Sequence, residues 1–329
     1  MIEARGLVRT FKTKRGRSTT IVNAVQGVDL DVADGEIVGF LGPNGAGKTT
    51  TMRMLATLIK PTSGTATVAG CDLAKDPVGV RRRIGYVPQS GSTLPEAIAS
   101  DEVVTHARLY GVPKATAVSR GQQLFEDLDL PGMWQRQCKS MSGGQRRRLD
   151  IVMGLIHDPR LIFMDEPTTG LDPQARANLW EHIRQLRRHG STIFLTTHYL
   201  DEADALCDRI LVIDHGKIVA SGTPEALKQQ VSGDAVRLTL TDAARADVVR
   251  KIAASLPGAT DSQIDADVVT FRVPEGGSVL PGLLRSIDGE GVELAGVEVH
   301  RPTLDDVFLT MTGRSLRDDS PATSEEKSA

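Results

Sequence analysis

Gly42-Pro43-Asn44-Gly45-Ala46-Gly47-Lys48-Thr49-Thr50 decides how the rest of this chain is read. The stretch fits G-x-x-x-x-G-K-[ST], the pattern of a loop that cradles phosphates. Gly42, Gly45 and Gly47 let the backbone curl tightly enough for several N–H groups to face one anion. Lys48 brings a cation to the β- and γ-phosphates of a nucleotide, and the Thr49 hydroxyl can ligate Mg²⁺. The flanks agree. Residues 37–41 form a short apolar run interrupted only by Gly39, as in a buried strand. Beyond the loop, Met52, Leu55, Ala56 and Ile59 recur at helical spacing until Pro61. The helix turns its positive end toward the phosphates. A nucleotide is the expected ligand.

Working outward, the spacing predicts strands in residues 1–33, with 2–5 alternating and 27–32 reading as an edge strand before the Asp34-Gly35 turn. Between them Lys12–Arg17 is a basic loop, read as a solvated hairpin tip. Phe11 just before it could stack on a purine or sit in a core. Strands are expected at 65–68 and 84–87, the latter running toward the nucleotide with Gln89 at its end. From about 90 to 141 the pattern turns helical, an insert in an α/β domain. Ser142 and Gln145 have capping-box spacing, and Leu149, Val152, Met153 and Ile156 form a buried stripe beyond them. Arg146-Arg147-Arg148 reads as the solvated face of that helix.

Leu161-Ile162-Phe163-Met164-Asp165-Glu166 is a continuous apolar run delivering two carboxylates, as a central parallel strand would. Asp172-Pro173 supplies an N-cap and a first helical residue, and 192–197 is the next buried strand, ending at His198. Strand, helix, strand with short joints is a βαβ unit, whose ligands lie beyond the carboxyl ends of the strands. Gly42, Gln89, Asp165, Glu166 and His198 all fall at that edge. Residues 235–310 read strand, helix, strand, strand, helix, strand and a last short helix, the order of a small ferredoxin-like α+β domain. Leu304, Val307, Phe308 and Met311 fall at helical spacing and are expected in a core. A disordered tail is expected over 313–329.

At 329 residues, with 40% hydrophobic and 25% charged residues, the chain is long enough for two domains and too apolar to be disordered throughout. A net charge of −3 argues against a nucleic-acid partner. Cys71, Cys138 and Cys207 have no ligand spacing and fit a reducing interior. No apolar run approaches the ~20 residues that span a bilayer. The chain therefore reads as soluble, with any link to a membrane made through a partner.

The ordered set of the phosphate loop, Gln89, Met141-Ser142-Gly143-Gly144-Gln145, Asp165-Glu166, Gly170-Leu171-Asp172 and His198 resembles the motifs of an ABC-transporter ATPase subunit across residues 1–230. Arg81-Arg82-Arg83-Ile84, Arg146-Arg147-Arg148-Leu149-Asp150-Ile151 and Leu304-Asp305-Asp306-Val307-Phe308-Leu309 are similar to the daunorubicin/doxorubicin-resistance branch of drug exporters, to about residue 312. Met141 stands for the family's usual Leu, Phe11 for its Tyr, and His198 where that branch can carry Gln. The resemblance implies a P-loop ATPase domain with an N-terminal antiparallel β subdomain and a helical insert, then an accessory domain over 231–312. It implies MgATP hydrolysis by a head-to-tail homodimer at the cytoplasmic face of the membrane, driving an integral membrane permease. Lys48 and the loop amides from Gly42 to Thr50 would hold the phosphates, with Phe11 on adenine. Thr49, Asp165 and Gln89 would serve Mg²⁺. Glu166 would polarise the attacking water, and His198 would touch the γ-phosphate. Ser142, Gly143, Gly144, Gln145 and Asp172 would serve the opposite protomer's nucleotide.

Other classes fit less well. A translation-factor ATPase of this type needs two cassettes, and a chromosome-maintenance ATPase needs a long coiled coil where this chain has only residues 51–140. A GTPase needs an Asn-Lys-x-Asp base reader, which Asn23, Asn44 and Asn178 do not offer. An importer subunit, or one serving lipid or polysaccharide export, shares the core motifs and stays open.

Overall fold

The computed structural model describes residues 1–15, 18–231 and 233–313. The chain forms two compact units, one of Met1–Pro224 and a second that begins at Glu225. The first opens on a hairpin of β1 (Ile2–Arg15) and β2 (Ser18–Val32), whose register shifts after Ala4 and Arg9 twist the ribbon. The Asp34-Gly35 turn feeds β3 (Ile37–Leu41), buried along its whole length, which runs through the phosphate loop into α1 (Lys48–Leu55). β4 (Ser63–Val68) and β5 (Cys71–Asp72) return to the hairpin, giving an antiparallel sheet of order β2-β1-β4-β5.

Asp76 caps α2 (Pro77–Arg83), which leads straight into β6 (Ile84–Val87). Three helices follow: α3 (Ala99–Leu109), α4 (Lys114–Asp127) and α5 (Gly143–Leu155). Then come β7 (Leu161–Asp165), α6 (Pro173–Arg188), β8 (Thr192–Thr197), α7 (Leu200–Leu206), β9 (Arg209–Asp214) and β10 (Lys217–Gly222). The second sheet has order β10-β9-β3-β8-β7-β6 and is parallel except at β10. β3, β7 and β8 are buried on both faces, which is why 161–164, 193–195 and, apart from Gly39, Ile37–Leu41 read as continuous apolar runs rather than alternating ones. Phe40, Phe163 and Phe194 pack at the centre, with ring centroids 5.6 and 5.8 Å apart. α5 lies so close under β6 that a Cβ on Gly85 would stand 2.2 Å from the Gly154 carbonyl oxygen. Only glycine fits there.

The sheet brings the carboxyl ends of β3, β6, β7 and β8 to one edge, as the run order demanded. Residues 199–230 carry no motif that marks their elements in the sequence. Within β9, 210–213 is a buried apolar run that ends at a carboxylate, Asp214, as the run before Asp165 does.

α8 (Pro224–Gln229) starts on the last residue of the first unit, and the second unit continues with β11 (Asp234–Leu240), α9 (Ala246–Ala254), β12 (Thr260–Asp265), β13 (Val268–Val273), α10 (Gly276–Gly289), β14 (Leu294–His300) and α11 (Leu304–Thr312). Its antiparallel sheet, β12-β13-β11-β14, is the strand arrangement of a ferredoxin-like unit. Val236, Leu238, Phe271, Val249, Leu283 and Ile287 make its separate core. In α11, Leu304, Val307 and Phe308 are buried while Met311 is 37% exposed, so the helical stripe is narrower than its spacing implied. The expected tail and part of the Lys12–Arg17 loop lie outside the described residues.

Candidate functional site

The phosphate loop is bent by backbone angles that side chains resist: φ is 81° at Gly45 and 106° at Gly47. A Cβ on Gly47 would meet the Ala24 carbonyl oxygen at 2.4 Å. Gly47 is the N-cap of α1 and offers no side chain, so the first-turn amides of the helix face the loop uncapped. Lys48 is 4% exposed; its Nζ donates to Gly42 O at 2.7 Å and Pro43 O at 3.1 Å. Burial lowers its pKa against the pull of Glu166 and Asp165.

β7 delivers Asp165 to this point. Its Oδ1 accepts from Thr49 Oγ1 at 2.9 Å and Thr196 Oγ1 at 2.7 Å, whereas Oδ2 is buried with no hydrogen-bond partner among the described residues. Glu166 follows in a left-handed conformation, φ 44°, with its N–H donated to Thr196 Oγ1 at 3.0 Å. Its carboxylate is the hub of the cleft. Oε2 accepts from Gln89 Nε2 at 2.8 Å and from Thr169 Oγ1 at 3.3 Å. Oε1 lies 3.5 Å from Lys48 Nζ and 3.4 Å from His198 Nδ1. Burial alone would raise the Glu166 pKa, but the contact with His198 and the Lys48 ammonium outweigh it and lower it from 4.5 to about 2. An open cleft of about 250 Å³ lies over this group, lined by Asn44, Gly45, Lys48, Thr49, Gln89 and Glu166 among others.

Four separated segments thus meet within hydrogen-bond or ion-pair range. Ser142–Gln145 does not line this cleft. The Ser142 hydroxyl accepts from Gln145 N at 3.2 Å and the Gln145 side chain accepts from Ser142 N at 2.9 Å, a capping box that starts α5. Gly143 lines a second cleft with Gln89, Thr169 and Leu171. Asp172 caps α6, accepting from Ala175 N at 2.9 Å. Phe11 lines neither cleft; the Arg9 guanidinium lies 4.6 Å over its ring. Thr196 and Thr169 went unread in the sequence, although a hydroxyl at the end of a buried strand signals Thr196. One expectation is corrected. Arg147 is not on a solvated face: it is 7% exposed and donates to the carbonyls of Pro88, Asp165, Glu166 and Pro167.

Mg²⁺ fits these residues. It is held through one or two carboxylates plus substrate phosphates rather than a protein cage, and the partnerless Asp165 Oδ2 beside Thr49 is such a donor set.

Comparison with known proteins bears on the same features. A family model described as ABC transporter matches residues 25–169, and one described as the C-terminal domain of DrrA1-3-like ATP-binding proteins matches 222–312. The daunorubicin/doxorubicin resistance ATP-binding protein of Streptomyces peucetius is 40% identical over 331 residues, covering 100% of this chain and 98% of its own. The Nod factor export ATP-binding protein I of Cupriavidus metallidurans is 39% identical over 298 residues, 89% of this chain and 94% of its own. The first unit shares its fold with a dimeric post-hydrolysis ATP-binding cassette bound to ADP and Pi, with a TM-score of 0.62 and 24% identity over 68% of this chain and 98% of that one.

Proposed function

Because the chain belongs to the ABC transporter family, in the branch of drug-resistance ATP-binding subunits, we propose that the Glu166 cleft hydrolyses ATP to power export of a hydrophobic antibiotic-like compound. The observation that carries the reading is the convergence of Lys48, Gln89 and His198 on one buried carboxylate beside an uncapped helix start. Lys48 and the loop amides bind the β- and γ-phosphates. Thr49 and Asp165 hold Mg²⁺, which when bound offsets phosphate charge.

Glu166 orients a water and accepts its proton as the water oxygen bonds to the γ-phosphorus and the bond to the bridging oxygen breaks, leaving ADP with the electron pair. A carboxyl at about 2 is a weak base. Once Lys48 turns to the phosphates, its ammonium no longer holds the pKa down, and Glu166 becomes more basic where a base is needed. His198 contacts the γ-phosphate, and Gln89 senses the water from the loop that joins the helical insert. Ser142–Gln145 and Asp172 serve the nucleotide of a second copy, in keeping with their absence from the cleft of their own chain.

No helix among the described residues is long and apolar enough to cross a membrane. We assign the conduit to a separate membrane-spanning subunit, with this chain at its cytoplasmic face. A second cargo, a Nod factor in place of an antibiotic-like compound, draws on the likeness to the Nod factor export protein. Glu166→Gln should bind ATP with near wild-type affinity and lose at least about a hundredfold in turnover; near-normal turnover refutes the base. Captured from native membranes with MgATP, the same variant should retain an integral protein of several hydrophobic helices. Ribosomes or DNA-repair proteins instead would leave the ATPase standing and its coupling to transport refuted.

A further inference from the structure

Arg147 and Asp150 stand one turn apart on α5, and neither enters the mechanism above. Arg147 is buried between an exposed Arg146 and a half-buried Arg148. Its guanidinium donates from Nε to Pro167 O at 2.8 Å and from Nη2 to Asp165 O at 3.1 Å and Glu166 O at 3.4 Å, while Nη1 donates to Pro88 O. Asp150, 3% exposed, accepts from Ser92 N at 3.0 Å and Ser92 Oγ at 2.8 Å. One helix therefore grips the Gln89 loop at both ends, at Pro88 and at Ser92, and holds the backbone that carries Asp165 and Glu166.

The chemistry suits the task. A buried cation is costly unless its donors are met, and here four carbonyls from two segments meet a planar fork that lysine cannot reproduce. The two side chains are three residues apart on one face, so their charges also attract. Glu166 sits in a left-handed conformation that surroundings must enforce. Thr196 fixes its N–H and Arg147 its carbonyl. Across the cleft, Gln89 meets the same residue's carboxylate at 2.8 Å.

We propose that Arg147 and Asp150 are positioning residues that hold Gln89 against Glu166 from the helix that Ser142 caps. The base, its glutamine partner and the Ser142–Gln145 turn then move as one piece. The inference rests on the reading of Glu166 and Gln89 given above.

The test uses the full chain with MgATP, measuring kcat and KM together with the affinity for a fluorescent ATP analogue. Arg147→Gln should lower kcat at least about tenfold while affinity stays within about threefold. Arg147→Lys should fall short of rescue. Combined with Gln89→Ala, Arg147→Gln should add less than about a twofold further loss, since its effect passes through Gln89. A wild-type kcat for Arg147→Gln, losses that multiply in the double variant, or kcat and affinity falling together would each overturn the clamp. Should Arg147→Gln fail to fold, Ser92→Ala removes only the hydroxyl given to Asp150. It should lower kcat without changing KM and be non-additive with Gln89→Ala; additivity would sink the idea. Glu166→Gln separates the two readings. If that variant is inactive and the Arg147 series fails, the clamp alone falls; if it turns over normally, the site reading falls and takes the clamp with it.

Discussion

At the scale of the residue, Glu166 carries the largest electrostatic consequence. Its folded pKa, about 2, lies below the ordinary 4.5, so the folded state binds its proton less readily than the unfolded chain. The stabilisation this supplies is complete above about pH 4.5 and is lost as pH falls through about 2. Glu166→Gln should therefore show a shallower loss of stability over that interval than the parent chain. Urea titrations of both at several pH values would check it, and parallel curves would mean the unfolded carboxyl feels the same cations. Much of this residue's setting was legible. Asp165 ends a strand, Gln89 and His198 follow strand ends within two residues, Lys48 opens a helix, and a βαβ sheet sends such ends to one edge. Arg147 was not legible, because three consecutive arginines on a helix point in three directions and only the packing selects one.

At the scale of the element, α5 shows why. An amphipathic stripe of Leu149, Val152, Met153 and Ile156 implies one wet face, yet every residue from Leu149 to Leu155 is buried. The helix is enclosed by β6 on one side and by α3 and α4 on others. A stripe read from one helix cannot register a second covering layer. α6 behaves as its sequence says, since Asp172-Pro173 combines a side-chain acceptor with a preset φ. Asp172→Ala should cost about 1 kcal/mol through loss of the Ala175 N–H acceptor. Asp172→Asn keeps an acceptor there and should stay within a few tenths of that figure of the parent. If chemical denaturation shows the two variants equally weakened, charge at the helix start rather than the cap explains the position. An Asn variant of parental stability but impaired hydrolysis would support its proposed service to the second copy.

At the scale of the molecule, the sequence changes pattern near residue 231, from apolar runs that end in chemistry to alternating strands without it, whereas the compact units divide at Pro224 and Glu225. β11 and β13 bury every second residue, Val236, Leu238 and Leu240 against Val269, Phe271 and Val273, which is one face of an antiparallel sheet. The nucleotide unit has its own core around Phe40, Phe163 and Phe194. A lesion in one core should therefore leave the other unit's chemistry in place. Phe271 is fully buried, and Phe271→Ala should cost the second unit about 3–5 kcal/mol through lost contacts and the cavity left behind. ATP-analogue affinity should stay within about threefold of the parent, because Lys48, Asp165 and the phosphate loop draw on the first core alone. Calorimetry with and without nucleotide measures both halves of the prediction. Ligand at a hundred times its Kd adds about 2.7 kcal/mol to whatever unit binds it. In the variant, the unit that nucleotide stabilises should unfold as in the parent, while the other melts earlier. Loss of nucleotide affinity in Phe271→Ala would show that the second core supports the site, and the division of labour between the units would have to be redrawn.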